Sequence, residues 1–163
     1  MEGKTDYRKR LALIKSGKPR LVIRKSNKHI LLQLVDFNVN GDRIITSSHT
    51  TYLRKLGWQF SGRNMPAAYL AGLRLGILAL EKNIKDAVLD SGLHPSVKGS
   101  VIYSAMKGVI DAGVNVPHSK EILPDEQRIS GAHIVTNSMT KSKHDAKEII
   151  NIFNGIKSKL LKK

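Results

Sequence analysis

The sequence predicts an α/β domain that contains a three-stranded antiparallel meander, a further strand, packed helices and a helical C-terminal extension. Short segments of alternating apolar residues, separated by tight-turn residues, lie in the first third of the chain and are typical of strands joined by short turns. Longer segments with apolar residues at helical spacing follow, and helices packed on a sheet are the usual solution for that order. A length of 163 residues with 40% hydrophobic side chains suffices for one domain with a buried core.

The first elements are a short helix and the meander. Thr5 or Asp6 can cap a helix from Tyr7 to Ser16, which Gly17 ends. Its apolar residues Tyr7, Leu11 and Ile14 share one face. The strands are predicted in PRLVIRK, HILLQLVD and DRIITSSH, and the Asn-Gly pair in NVNGD is a strong signal for a tight turn between the second and third.

Two helices and a short strand are predicted next. Asn64 caps a helix that has Pro66 in its first turn and runs to about Lys82. Gly72 and Gly76 lie four residues apart on it, which favours close packing of the helix on the sheet over a dimer motif. A short strand is predicted in KDAVLDSGL and a second helix in KGSVIYSAMKGVIDAG.

The C-terminal part is predicted to be an extension followed by one more helix. The stretch from Val114 to Lys141 is long and rich in turn residues, so it either wraps the core or becomes ordered on a partner. Ser142 to Asp145 resembles a capping box, and apolar residues follow at helical spacing up to Leu160. We therefore divide the chain into a basic helical arm (1–19), an α/β core (20–113) and an extension with the C-terminal helix (114–163).

Charge indicates the class of partner. Lys and Arg number 28 against 13 Asp and Glu, a formal net charge of +15. Residues 1–28 carry ten basic and two acidic side chains and residues 127–163 carry eight and two, whereas residues 81–126 carry more acidic than basic side chains. Basic surfaces at both ends of a near-neutral scaffold predict a polyanionic partner.

Several classes of function are disfavoured by what the sequence lacks. There is no cysteine, and the six histidines have no metal-ligand spacing, so no metal site is predicted. No phosphate-cradling glycine motif is present, and we predict neither a cofactor nor a small-molecule substrate. The longest apolar stretch, Met65 to Leu80, is short for a membrane span and contains Arg74, which predicts a soluble protein with no membrane partner.

One catalytic alternative remains. The predicted order of elements resembles the ribonuclease-H-like arrangement, in which clustered acids hold Mg²⁺ ions for phosphodiester cleavage. The candidate acids are Asp36, Asp42, Asp86, Asp90 and Asp111. The first two flank a tight turn, however, where Asp is common for its turn-forming side chain. A metal-dependent nuclease is therefore kept as the alternative to binding.

Binding is favoured by the predicted sheet face. Arg20 and Arg24 share one face of the first strand, and Gln33 and His29 share the corresponding face of the second. Such side chains, with the polar turn between these strands, suit phosphates, sugars and base edges. RNA is favoured over DNA, because no helix-turn-helix, zinc finger or basic zipper is found. Some of the aromatic residues near basic ones are candidates for stacking on bases: Tyr7, Tyr52, Trp58 and Phe60.

Long motifs in the sequence resemble one known family. GKPRLVIRKSNKHILLQLVD and GDRIITSSHT resemble the large-subunit ribosomal protein that binds 5S ribosomal RNA, number eighteen in the bacterial count. The archaeal branch of this family is resembled by three further segments: EGKTDYRKRLALIKSGKPRL, AAYLAGLRLGILALEKNIKDAVLDSGLH and GSVIYSAMKGVIDAGVNVPHSKEILPDEQRISGAHI. Members of that branch usually carry a further basic stretch before EGKTDY, whereas here Met1 directly precedes this motif.

The resemblance implies a non-enzymatic protein of the cytoplasmic large ribosomal subunit, with a ribonuclease-H-like translational-machinery fold. It implies that the chain binds 5S ribosomal RNA in the central protuberance and also contacts the large ribosomal RNA and neighbouring large-subunit proteins. A general RNA binder without 5S preference is the third hypothesis. The predicted RNA-binding residues are Thr5, Tyr7, Arg8, Lys9, Arg10, Lys18, Arg20, Arg24, Lys25, Ser26, Asn27, Lys28, His29, Ser47, Ser48, Arg63 and Asn64.

Overall fold

The computed structural model describes residues 5–136 and 148–162 and has a mixed α/β fold built on a four-stranded sheet. The strand order is β3-β2-β1-β4, where β1–β2 and β2–β3 pair antiparallel and β4 pairs parallel to β1. The predicted meander is therefore confirmed, and the further strand adds at its β1 edge. The strands are β1 (Arg20–Lys25), β2 (Ile30–Asp36), β3 (Arg43–His49) and β4 (Val88–Asp90).

Helices cover one face of this sheet and extend behind it. The predicted first helix, the two central helices and the last helix are present, whereas α2 and the short helices after residue 119 were not predicted. The predicted start of the last helix at Ser142 to Asp145 lies outside the described residues. The helices are α1 (Tyr7–Ile14), α2 (Tyr52–Lys55), α3 (Met65–Leu80), α4 (Val101–Asp111), a 3₁₀ turn (Lys120–Ile122), α5 (Glu126–Ser130), α6 (Ala132–Thr136) and α7 (Glu148–Leu161).

Helix α3 is the centre of the molecule, because two apolar clusters meet on it. Its N-cap is Asn64, whose Oδ1 accepts a hydrogen bond from the Ala67 amide at 3.0 Å, as predicted. Its sheet-facing side packs with α4 against β1 and β2, where Leu21 and Leu32 are fully buried. Its other side packs against α7 through residues such as Phe153. Burial on both sides explains why α3 is almost entirely apolar; no described helix is long and apolar enough to cross a membrane.

The glycines of α3 serve close packing, as predicted, but their neighbour differs from the prediction. A Cβ added at Gly72 would lie 2.0 Å from the backbone oxygen of Ala105, on α4. One added at Gly108, on α4, would lie 2.1 Å from the backbone oxygen of Tyr69. The two helices thus approach backbone to backbone, and the predicted contact of the α3 glycines with the sheet is wrong.

The described part of the C-terminal extension wraps the core. Val114 and Val116 are buried in the sheet cluster, and Ile129 is buried beside α3 and α7. Asn115 forms a parallel bridge with Asp86 just before β4. The sequence left two outcomes open for residues 114–141, wrapping the core or ordering on a partner. Over the described residues up to 136, the extension packs on the core.

Candidate nucleic-acid interface

A groove lies on the sheet face opposite α3 and α4. The alternation of β1 directs Leu21 and Ile23 into the core and places Arg20, Val22 and Arg24 on this second face. Helix α1 lies over part of it and forms one wall, and residues 89–96 form another. The space enclosed is about 1010 Å³. It is called the α1 groove below.

Helix α1 rests on the groove without burying a residue of its own. Asp6 caps it, since its Oδ1 accepts a hydrogen bond from the Lys9 amide at 3.0 Å. Tyr7 is 75% and Leu11 55% exposed, so two residues of the apolar face predicted for this helix lie open to solvent. Because Arg8 and Lys9 are also exposed, α1 presents an aromatic ring beside cationic side chains.

Three arginines and two aspartates form one network across the groove floor, named here the arginine–aspartate network (Arg10, Arg20, Arg24, Asp42, Asp90). Arg20 is 5% exposed and donates from Nη1 to Asp90 Oδ2 at 3.2 Å and from Nη2 to Asp42 Oδ2 at 2.5 Å. Arg10 of α1 donates to the same Asp42 oxygen at 3.0 Å. Asp42 therefore joins α1 to the sheet.

Arg24 is held differently from Arg20. Its Nη2 donates to Asp90 Oδ1 at 3.0 Å and its Nη1 donates to the Asp90 backbone oxygen at 2.9 Å, yet the side chain is 44% exposed. A guanidinium fixed on one side and open on the other is prepared to bind a phosphate. The two arginines that the strand pattern treats alike thus differ, since Arg20 is interior and Arg24 is accessible.

The turn between β1 and β2 projects from the other end of β1. Ser26 closes it, because its amide donates to the His29 oxygen at 2.9 Å and its Oγ accepts from the His29 amide at 3.1 Å. Asn27 and Lys28 are exposed. A rigid turn that displays amide and ammonium groups suits contacts with RNA sugars and phosphates.

A histidine pair lies behind this turn. The rings of His29 and His49 are 5.1 Å apart between centroids, and Thr50 Oγ1 lies 3.5 Å from His29 Nδ1. Burial, and secondarily the charge of His29, lower the pKa of His49 below its usual 6.5. A Cβ at Gly62 would lie 2.8 Å from His29 Nδ1, so the segment that leads to Arg63 packs against the pair.

The structure sorts the predicted RNA-binding residues by accessibility. Two are interior, since Arg20 is paired with acids and Ser48 is 1% exposed. Lys18 is exposed but forms an ion pair with Asp86 at 3.1 Å. Four are partly buried: Arg10, Lys25, His29 and Asn64. The others are exposed: Thr5, Tyr7, Arg8, Lys9, Arg24, Ser26, Asn27, Lys28, Ser47 and Arg63.

Three of the four aromatic candidates for stacking are engaged within the protein. Trp58 is 2% exposed and packs edge-on against Phe60, with 5.4 Å between the ring centroids. The guanidinium of Arg74 lies over the ring of Tyr52, 3.7 Å from its centroid. Of these four, Tyr7 is the most exposed, at 75%, whereas Tyr52 and Phe60 are partly buried.

Four of the five acids of the nuclease hypothesis bind cationic or polar groups of the chain. Asp86 accepts hydrogen bonds from Lys18 and Asn115, and Asp111 accepts from Tyr69 and Lys107. Asp42 and Asp90 belong to the arginine–aspartate network. Within residues 5–136 and 148–162, no three His, Asp or Glu side chains are grouped so that they could hold a metal. The nuclease hypothesis is not supported.

Sequence reasoning missed the function of Asp42 and Asp90 in this site. The sequence pattern indicates both as candidate metal ligands of the nuclease alternative, with Asp42 also in a turn position. The register gives the missing signal: Asp90 pairs with Val22 in the parallel β1–β4 ladder and so lies between Arg20 and Arg24 on one face. That signal needs the strand pairing, which the sequence pattern did not provide.

Comparison with known proteins identifies relatives over most of the chain. The model of a family described as "Ribosomal large subunit proteins 60S L5, and 50S L18" matches residues 1–87 and 81–119. The large ribosomal subunit protein uL18 of Korarchaeum cryptofilum is 52% identical over 83% of this chain and 69% of its own length. The uL18 proteins of Aeropyrum pernix and Methanothermobacter thermautotrophicus are 49% and 47% identical, each over 82% of this chain and over 63% and 70% of their own lengths.

Proposed function

The chain belongs to the family of large-subunit ribosomal proteins that comprises 60S L5 and 50S L18, and from this we propose that it binds 5S ribosomal RNA and helps attach it to the large ribosomal RNA in the central protuberance. As a member of that family it is a structural constituent of the cytoplasmic large ribosomal subunit and not an enzyme. Its partners are ribosomal RNA and ribosomal proteins; the choice of 5S RNA is the proposal.

The observation that carries the proposal is the arrangement of accessible cationic and polar groups. Helix α1 presents exposed cationic side chains beside the groove, and Arg24 in the groove comes just before the exposed turn at 26–28. Arg24 precedes Ser26 by two residues, roughly 7 Å of extended chain, so the groove and the turn can bind neighbouring phosphates of one RNA. Basic groups at fixed separations bind phosphates, and the polar turn can contact sugars or base edges of an irregular RNA.

We also propose that the fold has the ribonuclease-H-like topology. The support is the strand order, in which an antiparallel meander is followed by a strand parallel to β1. The chain at Asn115 then continues the sheet beyond β4, since the Asn115 amide donates to Lys85 at 2.8 Å and the Ala87 amide donates to Asn115 at 3.0 Å. The division into arm, core and extension at residues 19 and 113 is part of the same proposal.

The test is a titration of the protein against 5S ribosomal RNA, with transfer RNA as competitor, at two salt concentrations. If about six phosphates are contacted, the log–log slope of affinity against salt should be about −4 to −5, so tripling the salt should weaken binding on the order of a hundredfold. Binding should survive an excess of transfer RNA. If transfer RNA displaces the protein as effectively as unlabelled 5S RNA does, the hypothesis of a general RNA binder is favoured instead.

A matched pair of variants separates position from charge. Lys28→Glu alters the exposed turn, and Lys120→Glu makes the same charge change on the 3₁₀ turn, in the part of the chain where acids outnumber bases. Lys28→Glu should weaken binding and reduce the magnitude of the salt slope by about 1, because one phosphate contact is lost. Equal losses in both variants would show that net charge alone governs binding and would remove the turn from the interface.

A further inference from the structure

The α1 groove contains polar groups that the fold leaves unused. Arg20 lines it with a side chain that is 6% exposed, and its Nε has no hydrogen-bond partner among the described residues, although both terminal nitrogens are paired. That nitrogen is itself buried, so the polar groups that the groove offers to a ligand are those of Gln33 and Arg24. The half-buried Gln33 also lines the groove, and its amide can donate and accept at the same time.

The groove has room for a nucleotide and a lining that suits a base. Its volume, about 1010 Å³, lies at the upper end of pockets that bury drug-sized ligands. Leu13, Val22 and Val35 contribute apolar surface next to these polar groups. An apolar wall with a few directed donors and acceptors is the usual lining of a pocket for an aromatic heterocycle.

The mouth of the groove carries cationic side chains that suit a phosphate group. Arg24 is partly exposed there and Lys9 has a side chain that is 70% exposed. The carboxylates of Asp42 and Asp90 are already hydrogen-bonded to guanidinium groups, and three arginines outnumber these two acids. The network is therefore positive overall, and an anion at its open side meets donors first.

We infer that the α1 groove binds one unpaired nucleotide of the ribosomal RNA, with its base inside beside Gln33 and Val22 and its phosphate at Arg24. Proteins that read RNA by sequence usually take such unstacked bases into pockets, whereas a duplex is contacted by its outer surface. This inference rests on the proposed function, because it names the part of the RNA that the groove accepts. It adds Gln33 and the apolar wall to an interface otherwise defined by charge.

The first test compares two variants that leave the net charge unchanged. Gln33→Leu removes the amide inside the groove at similar volume, and Gln127→Leu makes the same change on an exposed position of α5. Gln33→Leu should bind 5S RNA about tenfold more weakly, as expected for loss of a paired contact to a base edge, with an unaltered salt slope and unfolding midpoint. Gln127→Leu should bind like the unmodified protein. Equal affinities of the two variants would overturn the inference.

A second measurement does not depend on the folding of any variant. The unmodified protein is bound to 5S RNA that contains 4-thiouridine, irradiated, digested and analysed for cross-linked peptides. Adducts on the peptides that contain Val22, Gln33 or Leu93 support the inference, and adducts confined to other peptides refute it. If the unmodified protein shows no preference for 5S over transfer RNA, the proposed function itself has failed, which is distinct from binding without groove adducts.

Discussion

Asp90 is the residue whose change tests the arginine–aspartate network most directly. Its side chain is 10% exposed and accepts hydrogen bonds from Arg20 at 3.2 Å, from Arg24 at 3.0 Å and from the Gly92 amide at 2.9 Å. Asp90→Asn keeps the volume and one acceptor oxygen but removes the negative charge. Arg20 would then rely on Asp42 alone while remaining buried.

The expected loss of stability follows from burial. Removing one partner of a buried ion pair costs about 3–5 kcal/mol. The lower end applies here, about 3 kcal/mol, because Arg20 retains Asp42 and Arg24 is 44% exposed, which screens its share. For a chain of this length the unfolding midpoint should fall by roughly 6–12 °C.

The assay is thermal unfolding followed by circular dichroism, with Asp86→Asn as control. Asp86 pairs with Lys18, but the two side chains are 46% and 43% exposed, so the same substitution should change the midpoint far less. Asp90→Asn should also weaken RNA binding, although it makes the protein more positive, because Arg24 is no longer fixed. This account of the network would be refuted if Asp90→Asn were as stable as Asp86→Asn, or if Asp90→Asn bound RNA more tightly than Asp86→Asn.

Three further predictions concern packing and pH. Gly72→Ala places a Cβ 2.0 Å from the Ala105 oxygen and should lower the free energy of unfolding by about 3 kcal/mol in urea titrations; an unchanged midpoint would contradict the close packing of α3 and α4. Because burial lowers the pKa of His49 in the folded protein, the imidazole binds a proton more tightly in the unfolded chain. The free energy of unfolding should therefore fall as the pH drops below 6.5, and His49→Gln should make it depend less on pH. Hydrogen bonds from Asn115 and Lys18 lower the pKa of Asp86 below 3.8, so its contribution to stability should be full above that pH and lost during further acidification. A difference in stability between the unmodified protein and Asp86→Asn that persists in strong acid would contradict this prediction.

Elements with local signals could be predicted from the sequence. The meander follows from period-two alternation and the Asn-Gly turn, and α3 follows from the Asn64 cap and its Pro66. The parallel pairing of β4 with β1 could not be predicted in register, because it joins segments separated by about seventy residues and leaves no local pattern. The positions of Asp90 and of the groove depend on that pairing.

The packing of α1 shows a second limit of the sequence pattern. An apolar stripe shows which side of a helix is apolar, but it does not show that the protein offers a surface to cover it. Tyr7 and Leu11 share the predicted stripe, yet α1 faces the groove with Arg10 and Leu13 instead. The cationic side chains that α1 exposes follow from the charge pattern of the sequence, whereas the way α1 packs on the groove does not follow from its apolar pattern.

The same acids decide between the two functions that the sequence allowed. A nuclease needs carboxylates free to share a cation, whereas Asp42 and Asp90 each neutralise guanidinium groups of this chain. Because those bonds fix Arg24 with one side open, the acids make the face better suited to hold a phosphate, even though they lower its charge. A surface that fixes its cations with neighbouring acids binds a defined phosphate position, while lysines on a mobile surface would bind any polyanion. Under the proposed function, selection of one RNA would depend on the acidic residues of this protein as much as on its excess of basic ones.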